Sequence, residues 1–176
     1  MADTSRTVNA LYALLADNTT SKIKAQTLRD LLKSLTSGYG SLWIQHGTSP
    51  SGISIETYAK PMVGFTSSGI SSGVTPVIST STLIPEVDGV YDLFFQGSYA
   101  GSASQTFHFH ARKNGVEIPG ACCDRKLGVG GDVGSCSFEL PVVLTSGVGV
   151  RLWLNADDSG KEVTPISGQL SLTRIG

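Results

Sequence analysis

Gly89-Val90-Tyr91-Asp92-Leu93-Phe94-Phe95-Gln96-Gly97-Ser98-Tyr99 is the stretch on which the fold turns. It is rich in β-branched and aromatic residues, is bounded by turn residues, and alternates with period two, which is the signature of a strand. The same pattern runs from Tyr39 to the C-terminus. Leu42–His46, Ile53–Tyr58, Gln105–Lys113, Ser135–Leu144, Gly149–Asn155 and Ser167–Ile175 read as further strands, and Ser67–Thr82 reads as a loop plus one strand. Asn114-Gly115 between Lys113 and Val116 is the strongest hairpin signal in the chain. Val116–Pro119 starts the return strand, and Thr145-Ser146-Gly147 joins two later ones. Eight or more short strands with turns at this spacing predict an antiparallel sandwich or barrel. Strands and helices do not alternate, so a parallel α/β sheet is excluded.

Residues 1–36 differ in kind. They contain no Gly or Pro and carry 5 basic and 3 acidic residues, whereas the remainder carries 8 basic and 11 acidic. Two short helices fit this segment. In the first, about Ser5–Ala16, Val8, Leu11, Leu14 and Leu15 recur at helical spacing. In the second, about Ala25–Leu35, Leu28, Leu31, Leu32 and Leu35 form one apolar stripe, while Arg29, Asp30 and Lys33 face away. Helices this short are marginal alone in water, so their stripes need a partner surface. The expected layout is a helical attachment arm over residues 1–38 followed by a β domain over residues 39–176.

The 176 residues carry a formal net charge of −1, which argues against a basic nucleic-acid binder. A 40% hydrophobic content argues against an acidic disordered tail. Leu140–Val150 is too short for a membrane span and is broken by Pro141, Thr145, Ser146 and Gly147. Near the N-terminus, Asn9, Tyr12 and Asp17 interrupt any apolar signal core around Val8 and Leu11–Ala16, so use without secretion is expected. Asn18-Thr19-Thr20, a glycosylation sequon in form, then reads as turn chemistry. Cys122, Cys123 and Cys136 are odd in number and read as free, partly buried thiols.

Candidate chemistry is sparse. His108 and His110 are two apart and share a strand face, but no third metal ligand is visible. Gathered on an axis between subunits, such histidines would make assembly pH-sensitive. Gly128-Val129-Gly130-Gly131-Asp132-Val133-Gly134 lacks the spacing of a nucleotide loop and reads as turns. Asp157-Asp158 lacks the ligand spacing of a calcium loop and reads as an exposed acidic turn. No nucleophile, base and orienting group appear in recognisable context, so a non-enzyme without cofactor or metal is expected.

Two resemblances follow from particular residues. Ile84–Phe95, with its Pro85, Gly89, Tyr91 and Phe94, is similar to the opening strand of C1q/TNF-like jelly rolls. Lys113-Asn114-Gly115-Val116-Glu117 resembles that family's N-G-V-E hairpin. Leu144-Thr145-Ser146-Gly147-Val148-Gly149-Val150-Arg151-Leu152 resembles its L-x-A-G-D-x-V-x-L segment, with Val148 in place of the Asp. Ile166-Ser167-Gly168-Gln169-Leu170 resembles its closing F-x-G-x-L strand. The resemblance implies an antiparallel jelly-roll sandwich and a homotrimer, with Tyr91, Phe95, Phe107 and Phe109 in the core or at subunit contacts.

Leu14-Leu15-Ala16-Asp17-Asn18, followed by Ile23-Lys24-Ala25-Gln26-Thr27-Leu28-Arg29-Asp30, resembles the leader of tailed-phage virion proteins, with Thr27 where an acidic residue is usual. This implies a structural protein on the outer surface of a phage particle. It would be a trimeric decoration or cement protein, or a head fibre, anchored through residues 1–38 to the major capsid protein or another virion protein. The alternative is a tail-fibre or baseplate module that recognises a host surface glycan through Thr48–Gly52, Gly120–Gly134 and Ala156–Lys161. A cellular C1q-like binding module is a third class, and the lack of collagen repeats speaks against it.

Overall fold

The computed structural model describes residues 28–31, 38–45, 52–56, 58–129 and 132–176. Twelve strands are present among them: β1 (Tyr39–Ile44), β2 (Ile53–Ile55), β3 (Lys60–Pro61), β4 (Ser67–Ser68), β5 (Val74–Val77), β6 (Thr82–Pro85), β7 (Gly89–Gly101), β8 (Thr106–Lys113), β9 (Val116–Lys126), β10 (Val133–Leu144), β11 (Val150–Ala156) and β12 (Lys161–Arg174). They form two six-stranded sheets. One runs β10-β7-β12-β1-β4 with β2 also on β12, and the other runs β5-β6-β11-β8-β9 with β3 also on β11. Every pairing is antiparallel.

Alternation places one parity of each strand between the sheets. From β7 these are Tyr91, Leu93, Phe95 and Tyr99, and from β8 they are Phe107, Phe109 and Ala111, all buried. Tyr91, Phe95, Phe107 and Phe109 are each at most 1% exposed in the single chain. Phe95 lies 5.8 Å from Phe109 and Tyr99 lies 4.6 Å from Phe109, ring centre to ring centre, so aromatic contact bridges the two sheets. The Tyr91 hydroxyl donates to the Val87 carbonyl at 2.8 Å, which satisfies it inside the sandwich.

Asn114 and Gly115 both adopt positive φ, 47° and 81°, as a two-residue primed turn requires, and they join β8 to β9. Several segments differ from the sequence reading. Residues 120–126 and 133–134 of the expected Gly120–Gly134 loop belong to β9 and β10. Pro119 and Gly120 hid the strand, because they occupy a register shift opposite Ala111, where a bulge tolerates both. β12 starts at Lys161 rather than Ser167, with another irregularity between Pro165 and Ser167. Ser67–Thr82 holds β4, β5 and a 3-10 turn at Ile78–Thr80.

The cysteines also differ from expectation. Cys123 of β9 and Cys136 of β10 form a disulfide, with Cα atoms 6.0 Å apart, and Cys122 stays free and exposed. Successive strand residues point to opposite faces. Cys123 thus faces the interior toward the other sheet's edge strand, while Cys122 faces out. An odd count of thiols conceals such a pair.

Of the arm residues, Val8, Leu11, Leu14, Leu15, Leu32 and Leu35 lie outside the described residues. Residues 28–31 are helical. There Leu28 is 50% exposed and Leu31 half-buried, while Asp30, expected to face away, is only 2% exposed. Asp30 is engaged in a hydrogen-bonding or electrostatic contact, which is the condition for burying a carboxylate.

Candidate functional site: the open sheet face and the distal end

Side chains of the opposite parity cover the outer face of the β10-β7-β12-β1 sheet. Register aligns them in rows across the strands. Ser135, Ser98 and Ser167 form one row, and the Ser98 and Ser167 hydroxyls lie 2.7 Å apart. Ser137, Gln96, Gln169 and Trp43 form the next, followed by Glu139, Phe94, Ser171 and Ser41, and then by Pro141, Asp92, Thr173 and Tyr39. A groove of about 620 Å³ opens on the sheet, lined by Trp43, Gln96, Gln169 and the serines of the first two rows. Gly97 and Gly168, paired across β7 and β12, contribute only backbone to it.

This face is poor in charge. Trp43 is 39% exposed, Tyr39 and Val143 are exposed, and Phe94 is half-buried. Its short hydroxyl side chains let another backbone approach closely. Asp92 and Glu139 stand together on it, and their hydrogen bond raises the Glu139 pKa. The outer face of the other sheet carries Arg112, Arg151, His108, Asp124 and Glu117 instead, as a solvated face does.

The two ends of the sandwich also differ. β1 enters beside Arg174, where the Gly38 carbonyl accepts a hydrogen bond from the Arg174 amide. The Asn114-Gly115 turn and the Gly147 turn lie at this same end, where Asn114 N–H donates to Gly149 and Gly147 N–H donates to Pro85. Residues 102–105, 127–129 and 156–160 gather at the opposite, distal end: Leu127 N–H donates to Gln105, Asp157 N–H to Thr106 and Ser102 N–H to Glu162.

His108 sits at the distal end. Its Nδ1 lies 2.9 Å from Asp124 Oδ1 and its Nε2 lies 2.9 Å from Asp157 Oδ1. A carboxylate only accepts, so both contacts are hydrogen bonds only when both ring nitrogens carry protons. Burial pulls the His108 pKa down, but hydrogen bonds to Asp157 and Asp124, with their charges, outweigh it and hold the value above normal. The same contact holds the Asp157 carboxyl below its usual range. When protonated, His108 ties β8 and β9 to the 156–160 loop. Gln105 adds a hydrogen bond to Asp158 at 3.0 Å.

Asp157-Asp158 is therefore an acidic turn pinned by protein partners. His110 shares the face with His108 but is only 7% exposed; burial first, then the Arg112 charge, lowers its pKa. Both His108 nitrogens face carboxylates on opposite sides, and among the described residues no group of three or more His, Cys, Asp or Glu side chains is arranged to hold a metal ion. Sequence reasoning singled out the histidines but missed the open face of Trp43, Gln96 and Gln169. The signal for it was the run of Ser and Gln at outward parity in β7, β10 and β12.

No protein-family model matches the chain, and no curated protein matches its sequence. Solved structures do match in shape. An Eiger TNF from S. frugiperda is 13% identical with a TM-score of 0.57, covering 80% of this chain and 94% of that one. Murine APRIL at pH 8.0 is 12% identical with a TM-score of 0.51, covering 78% and 99%. The globular domain of zebrafish complement 1qA is 16% identical with a TM-score of 0.49, covering 79% and 99%. The fold is the antiparallel jelly roll seen in those TNF-type structures. At such identities the likeness extends to the fold alone. In the jelly roll, β7 and β12 are the long central strands of the charge-poor sheet, and the candidate groove opens on both.

Proposed function

We propose that this chain is a non-enzymatic structural protein of a tailed-phage particle. It forms a homotrimer through the charge-poor face of the β10-β7-β12-β1 sheet and is held to the capsid by residues 1–38, as a decoration or cement protein or a head fibre. The carrying observation is polarity: the chain enters β1 at one end of the sandwich while residues 127–129 and the 156–160 loop gather at the other. A tether at one pole and display at the other is the layout an attached surface module needs. The phage setting is supported by the Leu14–Asn18 and Ile23–Asp30 leader pattern. Three copies also place three tethers side by side, so weak arm contacts multiply through effective concentration.

A second reading, a tail-fibre or baseplate module that recognises a host surface glycan, is favoured by the clustering of loops at the free distal end. The discriminating experiment deletes residues 1–38 and measures particle labelling. The proposal expects a folded, still trimeric β domain that no longer decorates capsids. Decoration retained by the truncated protein would overturn the arm's role, and glycan binding with no capsid labelling would favour the second reading.

A further inference from the structure

Arg112 of β8 and Arg151 of β11 stand directly opposite each other on the outer face of the β5-β6-β11-β8-β9 sheet. Like charges in register across a strand pair repel, so their persistence calls for a compensating group. The protein supplies little of one. Glu117 approaches Arg112 only to 4.0 Å, at the limit of an ion pair, and is itself mostly exposed. Among the described residues no carboxylate reaches Arg151, and the Nε atoms of both arginines are buried without a hydrogen-bond partner.

The pair is nevertheless held in place. The Arg112 guanidinium lies over the Trp153 ring, 4.6 Å from its centre, and this fixes its plane. Trp153 in turn pairs with His110 on one side and with Pro61 on the other. Burial and the Arg112 charge favour neutral His110, so the histidine adds little competing charge. Thr82, in register with Arg151 from β6, borders the pair with a hydroxyl side chain.

We propose that Arg112 and Arg151 form a binding site for a phosphate-type oxyanion. Two guanidiniums side by side match the several oxygens and double charge of such a group better than a single carboxylate does. Glu117, loosely held, swings away when the anion enters. Free phosphate and a phosphate ester on a saccharide share this chemistry.

The test is titration of the full-length protein, at constant ionic strength near pH 7.5, with inorganic phosphate and separately with glucose 6-phosphate, using glucose as the uncharged control. Both anions are expected to bind and glucose not to bind. Tighter binding of the ester would mark a phosphorylated saccharide as the source, and equal binding would mark free phosphate. Arg151→Gln should weaken binding by about ten- to a hundredfold, the loss expected for charge-assisted hydrogen bonds. Glu117→Gln, which removes the competing carboxylate, should tighten it. Thermal unfolding without anion reports whether each variant folds, and Arg112→Lys serves as a second variant that keeps charge but loses the planar fork. Absence of anion binding in the wild type, or an affinity unmoved by both Arg151→Gln and Glu117→Gln, would overturn the proposal and leave the arginines as a cover for Trp153.

Discussion

Reducing the Cys123–Cys136 disulfide should destabilise the jelly roll by an amount that its position sets. The bond joins the edge strand β9 of one sheet to the edge strand β10 of the other, across a sequence separation of 13. In the chain-entropy account, closing a loop of that length removes unfolded-state freedom worth ~3 kcal/mol. Both sulfurs pack against the hydrophobic core, so reduction to thiols leaves that packing largely in place and isolates the cross-link itself. For a domain of this size, ~3 kcal/mol corresponds to a fall in Tm of roughly 6–12 °C. The assay is calorimetric unfolding with and without a thiol reductant, paired with thiol titration under native and denaturing conditions. The oxidised protein should show a single reactive thiol, Cys122, in both states, and the reduced protein three when denatured. A Tm unmoved by reductant together with three titratable thiols in untreated protein would refute the cross-link and restore the free-thiol reading.

Other outcomes follow from single side chains. His108 has a raised folded pKa, so its contribution is fully present below the unfolded value of about 6.5 and is lost as pH rises through the folded one. Urea titrations should therefore show His108→Gln most destabilising near pH 5.5–6.5 and progressively less so toward pH 9; a penalty that grew with pH would contradict the double hydrogen bond. Tyr99 is 2% exposed, its hydroxyl has no partner, and burial raises its pKa. Tyr99→Phe should raise stability by about 1 kcal/mol, since an unsatisfied buried hydroxyl is costly, and chemical denaturation would expose the opposite sign if the group were satisfied. Gly115→Ala forces a Cβ onto a residue at φ 81° and should cost about 1 kcal/mol in the same assay.

Much of the sandwich was legible because its strands obey local rules. The alternation through Tyr91, Leu93 and Phe95 matches the buried parity of β7, and Asn114-Gly115 needs the positive φ values that it adopts. What was hidden depends on distant partners or broken rules. Pro119-Gly120 and Pro165 lie inside β9 and β12, at register irregularities where the ladder tolerates them. Cys123 finds Cys136 only because β9 and β10 are edge strands stacked on the same side of the sandwich. His108 was singled out by its spacing from His110, but its partners are Asp124 and Asp157, brought in by a neighbouring strand and by the loop after β11. The outer-face row of Ser137, Gln96, Gln169 and Trp43 comes from four strands far apart in sequence, and only register assembles it.

The central claim is that this sheet face meets other copies of the chain. Light scattering coupled to size exclusion tests it most directly, on the full-length protein and on a Trp43→Glu, Gln96→Arg variant that places charge in the groove. Self-association predicts a mass three times the 18.4 kDa of one chain for the wild type, falling toward one chain in the folded variant. A wild-type mass of a single chain at every concentration, or a trimer indifferent to both substitutions, would contradict it.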